Sequence, residues 1–190
     1  MIMKNYLAPK VRIPDITSSG VLTLKDRLNN CLEPIILTIK HDENSIVAEC
    51  FNNVSNYVKV NGGCIQYGWS IWETFPDVMI EAEFHAVWKD NSGRLYDITP
   101  KKDGQSEMLF LPDMVKTYDG RQVNNVRVPL VENNVVKLFI EYCDKWFDIL
   151  NEGENAFNNG LTNLQNTPKL QGIIRCRNHF YYRIIEEYYN

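Results

Sequence analysis

A cysteine, a histidine and an aspartate occur in the order that a thiol nucleophile, its base and an orienting group would require. Cys50 begins a segment with helical spacing, His85 lies in a strand-like segment, and Asp97 lies in the next such segment, after a short turn. A thiol is a weak nucleophile near its ordinary pKa of ~8.5, but a helix N-terminus and an adjacent imidazolium both favour the thiolate. The pattern therefore predicts nucleophilic catalysis by Cys50.

Strand periodicity decides whether the imidazole and the carboxylate can meet. If residues 90–92 form a three-residue loop and Gly93 takes the left-handed conformation that follows it, His85 stands directly opposite Asp97. Their Cβ atoms would then lie ~5 Å apart. A loop one residue shorter or longer would place the two side chains on opposite faces of the hairpin. The predicted His85–Asp97 pair depends on this register.

Apolar periodicity predicts the elements that must position these groups. The helix that begins at Cys50 should end at the Asn61-Gly62-Gly63 stop, and three aromatic, β-branched strands should follow it. The expected order is a helix in 20–33, a strand in 33–40, a helix in 50–61, strands in 64–73, 78–88 and 94–100, extended segments in 101–130 completing the sheet edge, and helices in 133–151 and 172–189.

We therefore expect one α+β domain over residues 1–190, with an antiparallel sheet against which the nucleophile-bearing helix packs. Its core should span about 44–130, and C-terminal helices should cover a face over about 133–190. A chain of 190 residues with 44% hydrophobic side chains can bury such a core as a single domain.

Charge and cysteine content exclude several classes of protein. A net charge of -4 gives no overall basic field for nucleic acid or anionic membranes. The N-terminal residues carry charges and two prolines where a secretory signal needs an apolar run, and no apolar run of 18 residues occurs. The five dispersed cysteines lack a C-x-x-C pair. We expect a soluble cytoplasmic protein with reduced thiols, no cofactor and no membrane association.

Residues 44–100 resemble the core of the transglutaminase-like branch of the papain-like cysteine enzymes. The resemblance is carried by the helix-initial Cys50, by His-Ala-Val-Trp beginning at His85, and by Asp-Ile-Thr-Pro beginning at Asp97, which is similar to the family's Asp-x-Thr-Pro motif. Residues 101–130 look like those of small bacterial proteins of unknown activity. The resemblance implies a Cys-His-Asp triad that hydrolyses a peptide or protein amide bond through a thioester, as a peptidase, an amidase or a glutamine deamidase.

The residues around the thiol depart from the family pattern. Glu49 precedes Cys50, and its carboxylate would oppose formation of the thiolate. The Cys50 backbone amide is the natural first donor to an oxyanion, and Asn44 and Gln66 are the candidates for the second. Trp69 is a candidate wall of the substrate groove, although burial in the core is the more common role for such a residue.

Other readings of the same residues remain open. A catalytically inactive binding module on the same scaffold could recognise a peptide or protein partner without cleaving it. Cys64, after two glycines, is a rival nucleophile or a strand-start thiol facing the core. Glu81 and Glu83 share the strand face of His85, where they would be solvated or form a negative rim for a cationic substrate.

Two further classes of site have weaker support. A metal site of His41, Cys50, Cys64 and His85 lacks the regular short spacings of structural zinc, so no metal is expected. The arginines around His179 could contact nucleic acid, but an amphipathic helix with solvated arginines is the more common origin of such a pattern, and nucleic acid is not the expected partner. The sequence leaves the oligomeric state open.

Overall fold

The computed structural model describes residues 8–40, 42–101, 104–153, 157 and 167–190. Within these residues the chain forms a mixed α+β fold, as predicted, with an antiparallel sheet and C-terminal helices. The elements, in order, are α1 (Ser19–Arg27), β1 (Ile35–Thr38), α2 (Cys50–Asn61), β2 (Cys64–Phe75), β3 (Met79–Lys89), β4 (Leu95–Tyr96), β5 (Glu107–Pro112), β6 (Val126–Pro129), α3 (Asn134–Leu150) and α4 (Pro168–Tyr188).

The sheet has the strand order β1-β5-β2-β3-β4, and β6 pairs with β3 beside β4. Every ladder is antiparallel, while an isolated parallel bridge between Ile39 and Asp97 joins the chain after β1 to the chain after β4. This bridge connects the two ends of the strand order, so the sheet curls around the side chains on one of its faces. The expectation that residues 101–130 complete the edge was wrong for β5, which lies between β1 and β2.

Helix α2 is held against β3 by the tight connection that follows it. The helix ends at Asn61 and Gly62 caps it, and both Gly62 and Gly63 have positive φ angles, of 73° and 78°. A Cβ atom on Gly63 would lie 2.3 Å from the Lys89 carbonyl oxygen, because the backbone returns closely past the end of β3. Glycine is the residue that tolerates both this conformation and this approach. The predicted stop of α2 is therefore confirmed.

Apolar side chains form separate clusters on the two faces of the sheet. The outer face of β2 and β3 carries residues such as Trp69, Ile71 and Phe84, which pack with α1. The enclosed face carries Leu37, Val87, Met108 and Phe110. Burying these surfaces removes apolar area from water, which is the main favourable contribution to folding.

The C-terminal helices cover one end of the sheet. Phe75 and Met79, at the β2–β3 turn, pack with Phe139 and Cys143 of α3 and with Ile184 of α4 in one buried cluster. The helical cover predicted for 133–151 and for the C-terminus is thus confirmed. None of the helices in the described ranges combines the length and the apolar character that a membrane span requires.

Candidate active site

His85 and Asp97 meet inside the fold. The Nε2 atom of His85 lies 3.1 Å from Oδ2 of Asp97, and both residues are buried, with relative exposures of 3% and 0%. The contact leaves Nδ1 as the ring nitrogen available to a thiol, because Nε2 is engaged by the carboxylate. The predicted pairing of these two side chains is therefore present.

The register that produces this pair differs from the predicted one. The Asp90 amide donates to the Arg94 carbonyl, so the three loop residues are 91–93 rather than 90–92, and Trp88 pairs with Tyr96. Continued by one step, this register would set Asp97 opposite Val87, two residues beyond His85. Because the error moves the pairing by two residues, it preserves the face on which each side chain lies. His85 and Asp97 therefore meet diagonally rather than directly opposite each other.

Local hydrogen bonds around Asp90 explain the position of the loop. Its carboxylate accepts from the amides of Ser92 and Arg94 and from the Ser92 hydroxyl, as aspartates that begin turns commonly do. Gly93 has a φ of 86° and is the last residue of the loop. The left-handed conformation of Gly93 was predicted correctly. The prediction placed Gly93 immediately after the loop, whereas it is the third residue of the loop.

The Asp97 carboxylate has two further partners. Lys101 Nζ lies 3.1 Å from Oδ2, the oxygen that also faces His85, and the Thr99 amide donates to Oδ1 at 2.9 Å. The Thr99 hydroxyl in turn accepts from the Asn53 side chain of α2 at 3.2 Å. These contacts fix the carboxylate between the imidazole and an ammonium, and they tie it to the first turn of α2.

The protonation states follow from burial and from these charges. Burial lowers the pKa of His85, but negative charge on Cys50 and Asp97 outweighs this effect and raises the pKa to about 10, against an opposing effect of Lys101. Burial raises the pKa of Asp97, but His85, Lys101 and the Thr99 amide lower it to about 2. At neutral pH the pair is therefore an imidazolium and a carboxylate.

Cys50 is the first residue of α2 and lines a cleft of about 470 Å³. It belongs to a buried cluster with Val54, Ala86 and Ile98, and this cluster therefore includes the direct chain neighbours of His85 and Asp97. It is 8% exposed. The structure contains no hydrogen bond between the thiol and the imidazole in its described part. The two groups interact through charge, since Cys50 contributes to the raised pKa of His85.

Strand alternation explains why the thiol and the imidazole are not bonded directly. Ala86 faces α2, so its neighbour His85 points to the enclosed face of the sheet. Strand β3 pairs with β6 over residues 79–82 and with β4 over 88–89. Between these ladders, residues 83–87 have β2 along one edge and, in the described ranges, no strand along the other. The cleft lies at this open edge, because both Glu83 and Phe84, from opposite faces of β3, line it.

The start of α2 presents backbone amides at this cleft. The Glu49 side chain makes no capping bond to the helix and accepts instead from Asn52 Nδ2 at 2.8 Å. The first N–H groups of a helix have no partner within the helix and carry partial positive charge. The amides of the first turn therefore suit a thiolate or a developing oxyanion at Cys50.

Aromatic side chains form the wall beside the thiol. Phe51, the residue after Cys50, stacks on Tyr118 with ring centroids 3.7 Å apart and an interplanar angle of 3°. Tyr118 comes from the segment between β5 and β6, which the sequence analysis treated only as extended chain. Burial, followed by the charge of Cys50, raises the pKa of Tyr118. No local pattern predicts this contact, since it joins residues 67 positions apart.

The three predicted binding residues do not line the cleft that contains Cys50. Trp69 is 4% exposed in the core, with Nε1 bonded to Asp113 at 3.1 Å, and it lines a second cleft. Gln66 donates to the carbonyls of Tyr67 and Asp113. Asn44 is exposed in a turn closed by its amide and Asp42. Neither Asn44 nor Gln66 is among the residues that line the cleft of Cys50, so neither is placed to donate to an oxyanion there. Hydrogen bonds in a turn hold the segment of Asn44, and hydrogen bonds near the start of β2 hold Gln66.

The remaining candidates separate into structural and solvent-facing groups. Glu81 is buried and paired with Arg127 at 2.7 Å, so the expectation of a solvated edge was wrong for it, whereas Glu83 is exposed. Cys64 is exposed at the start of β2, which corrects its core-facing reading. His41 lies outside the described residues, and within them no group of three potential ligands could hold a metal.

Comparison of the chain with protein-family models, with curated proteins and with solved structures found no match in any of the three. The functional argument therefore depends on the geometry of Cys50, His85, Asp97 and their surroundings.

Proposed function

We propose that this protein is a cysteine-dependent acyl-transfer enzyme that hydrolyses an amide bond, built on a papain- or transglutaminase-like core. The observation that carries the proposal is the buried His85–Asp97 bond beside a helix-initial Cys50 that lines a cleft. A charged imidazole next to a thiol at a helix N-terminus is the environment that produces a reactive thiolate.

The reaction begins from the Cys50 thiolate, whose proton is already held on Nδ1 of the imidazolium, while Asp97 accepts from Nε2. The sulfur then forms a bond to the substrate carbonyl carbon, and the α2 amides receive the negative charge that develops on oxygen. When the tetrahedral intermediate collapses, the C–N bond breaks and His85 gives its proton to the departing amine. A thioester on Cys50 remains.

The second half of the reaction releases the acyl group. His85, neutral after the first half, takes a proton from water, and the water oxygen attacks the thioester carbonyl. The C–S bond then breaks to give a carboxylic acid and the Cys50 thiolate beside the reprotonated His85. We favour hydrolysis over transfer to another amine because water is always present. A peptide or protein amide, including a glutamine side chain, is the proposed substrate.

This mechanism requires the thiol and Nδ1 of His85 to approach each other across the open edge of β3. Catalytic hydrogen bonds are often long without substrate and tighten when it binds. The thiol lies in one buried cluster with Ala86, whose neighbour His85 points to the other face of β3, so the approach passes around the strand edge that no described strand covers. Substrate in the cleft lined by Cys50 would promote that approach.

Selective alkylation tests the thiolate directly. We expect iodoacetamide at pH 6.5 to modify Cys50 faster than the exposed thiols Cys31 and Cys64, which serve as internal references in the same chain. Peptide mass spectrometry reports each rate. The His85→Gln variant should lose the advantage of Cys50. If Cys50 reacts more slowly than both references, as a merely packed thiol would, the proposal is wrong.

Activity is tested with a panel of fluorogenic peptide amides and with ammonia release from glutamine peptides. We expect Cys50→Ala to abolish turnover and Asp97→Asn to reduce it by about 10²- to 10⁴-fold, the usual contribution of acid–base machinery. Cys64→Ala is the matched control and should retain full activity. Turnover that survives Cys50→Ala would require a different nucleophile.

One observation favours the second candidate, a catalytically inactive module that binds a peptide or protein in the same cleft. The thiol is mostly buried and makes no hydrogen bond to the imidazole in the described structure. Such a module would retain peptide binding in Cys50→Ser and show no preferential alkylation of Cys50. The alkylation experiment thus separates the two functions.

A further inference from the structure

Asp97 shares one carboxylate oxygen between two cations. Oδ2 lies 3.1 Å from His85 Nε2 and 3.1 Å from Lys101 Nζ. The Lys101 side chain is 21% exposed, while that of Asp97 is fully buried. No motif in the sequence marked Lys101, and the mechanism above does not use it.

The charges of this network determine what the thiol experiences. An imidazolium bonded to a carboxylate is close to neutral as a pair, so alone it would offer a thiolate only a dipole. Lys101 adds one positive charge to the pair, so the net charge of His85, Asp97 and Lys101 together is +1. In a buried site a net charge is costly unless an opposite charge lies nearby. Glu83 lines both the cleft of Cys50 and a cleft with Lys101, but it is exposed to water, so the Cys50 thiolate is the buried group that would supply the opposite charge.

We propose that Lys101 is a positioning residue of this site: its ammonium compensates Asp97, so that the imidazolium charge of His85 remains available to stabilise a Cys50 thiolate. The inference rests on the proposed function and adds a fourth member to its charge network. Lys101 acts through Asp97 and His85 and contacts neither substrate nor sulfur in this mechanism.

The charged groups that act on the imidazole are few. Cys50 approaches from α2, Asp97 and Lys101 follow β4, and β2 presents Gly68 opposite His85, with no charge. After burial, which lowers the pKa of His85, Cys50 and Asp97 raise it and Lys101 lowers it. Lys101 therefore limits how strongly Asp97 holds the proton on His85, which lets the ring exchange that proton during turnover.

The experiment compares the alkylation rate of Cys50 at pH 6.5 in the wild-type chain, Lys101→Met and Lys101→Arg. Cys31 and Cys64 again serve as internal references. We expect Lys101→Met to react about tenfold more slowly, because one positive charge near the thiolate is lost, and Lys101→Arg to stay within about twofold of wild type. Lys40→Met is the matched control, because exposed Lys40 lies near the site and contacts the ring of Tyr96 rather than the carboxylate.

The readouts separate the two proposals. If Cys50 is preferentially reactive in the wild-type chain and Lys101→Met leaves it so, the role of Lys101 is overturned while the proposed function stands. If wild-type Cys50 has no advantage over the reference thiols, both proposals are overturned. Lys101→Gln, which keeps a hydrogen-bond donor without the charge, provides the same comparison should Lys101→Met fail to fold. A purely structural lysine would lower stability without changing the alkylation rate of the folded protein.

Discussion

The buried carboxylate of Asp97 gives the sharpest prediction, because its change to Asn preserves size and removes one charge. The carboxylate is fully buried and accepts contacts from His85, Lys101 and the Thr99 amide. Asp97→Asn leaves a buried histidine without its counter-charge. Removing one partner of a buried ion pair costs about 3–5 kcal/mol, and we expect a loss of this size in the free energy of unfolding at pH 5.5.

The pH dependence of this loss identifies its cause. The pKa of Asp97 is lowered from 3.8 to about 2, so its stabilisation is present above pH 3.8 and disappears as the pH falls through about 2. The pKa of His85 is raised from 6.5 to about 10, so its stabilisation is complete below pH 6.5 and disappears as the pH rises through about 10. The difference between wild type and Asp97→Asn should therefore be largest between about pH 4 and 6.5.

Urea unfolding followed by circular dichroism at pH 5.5, 7.5 and 9.5 measures this difference. Asp90→Asn is the matched control, since Asp90 is a carboxylate of the same hairpin that lies in the exposed turn. Asp90→Asn should lower the free energy of unfolding by less than Asp97→Asn does, and its effect should not decline between pH 5.5 and 9.5. A loss below about 1 kcal/mol for Asp97→Asn, or a loss equal at all three pH values, would refute the buried ion pair.

Two further substitutions probe the surroundings of the thiol. Glu49→Gln removes the carboxylate next to Cys50, and we expect alkylation of Cys50 at pH 6.5 to accelerate about two- to fivefold, as for a partly exposed charge pair; an unchanged rate would show that Glu49 does not oppose the thiolate. Gly63→Ala places a Cβ atom 2.3 Å from the Lys89 carbonyl at a φ of 78°, so urea unfolding should show a loss of more than about 1 kcal/mol. Gly104→Ala, with positive φ but nothing within 4 Å, should cost less, and equal losses would exclude the steric contact.

Local sequence patterns determined the helices and strands and the strand face on which each side chain of the site lies. The apolar spacing of α2 and α3, the Gly62-Gly63 stop and the alternation of β3 depend on neighbouring residues, and each appears where the sequence predicted it. The contact between His85 and Asp97 was also predictable. The predicted register was wrong by two residues, and a shift by an even number of residues leaves each side chain on the same face of its strand. The loop position was not, since it depended on competing hydrogen bonds of Asp90.

Tertiary structure decided what surrounds the pair. β5 enters between β1 and β2 through contacts that no local pattern encodes, and the bridge between Ile39 and Asp97 joins the chain after β1 to the segment that carries Lys101, four residues after Asp97. The same long-range packing places Tyr118 on Phe51 and fixes Gln66 at the end of a strand. The sequence alone predicted the elements that carry Cys50, His85 and Asp97, because side-chain type and period are local; the aromatic wall and the burial around these residues arise only when distant segments meet.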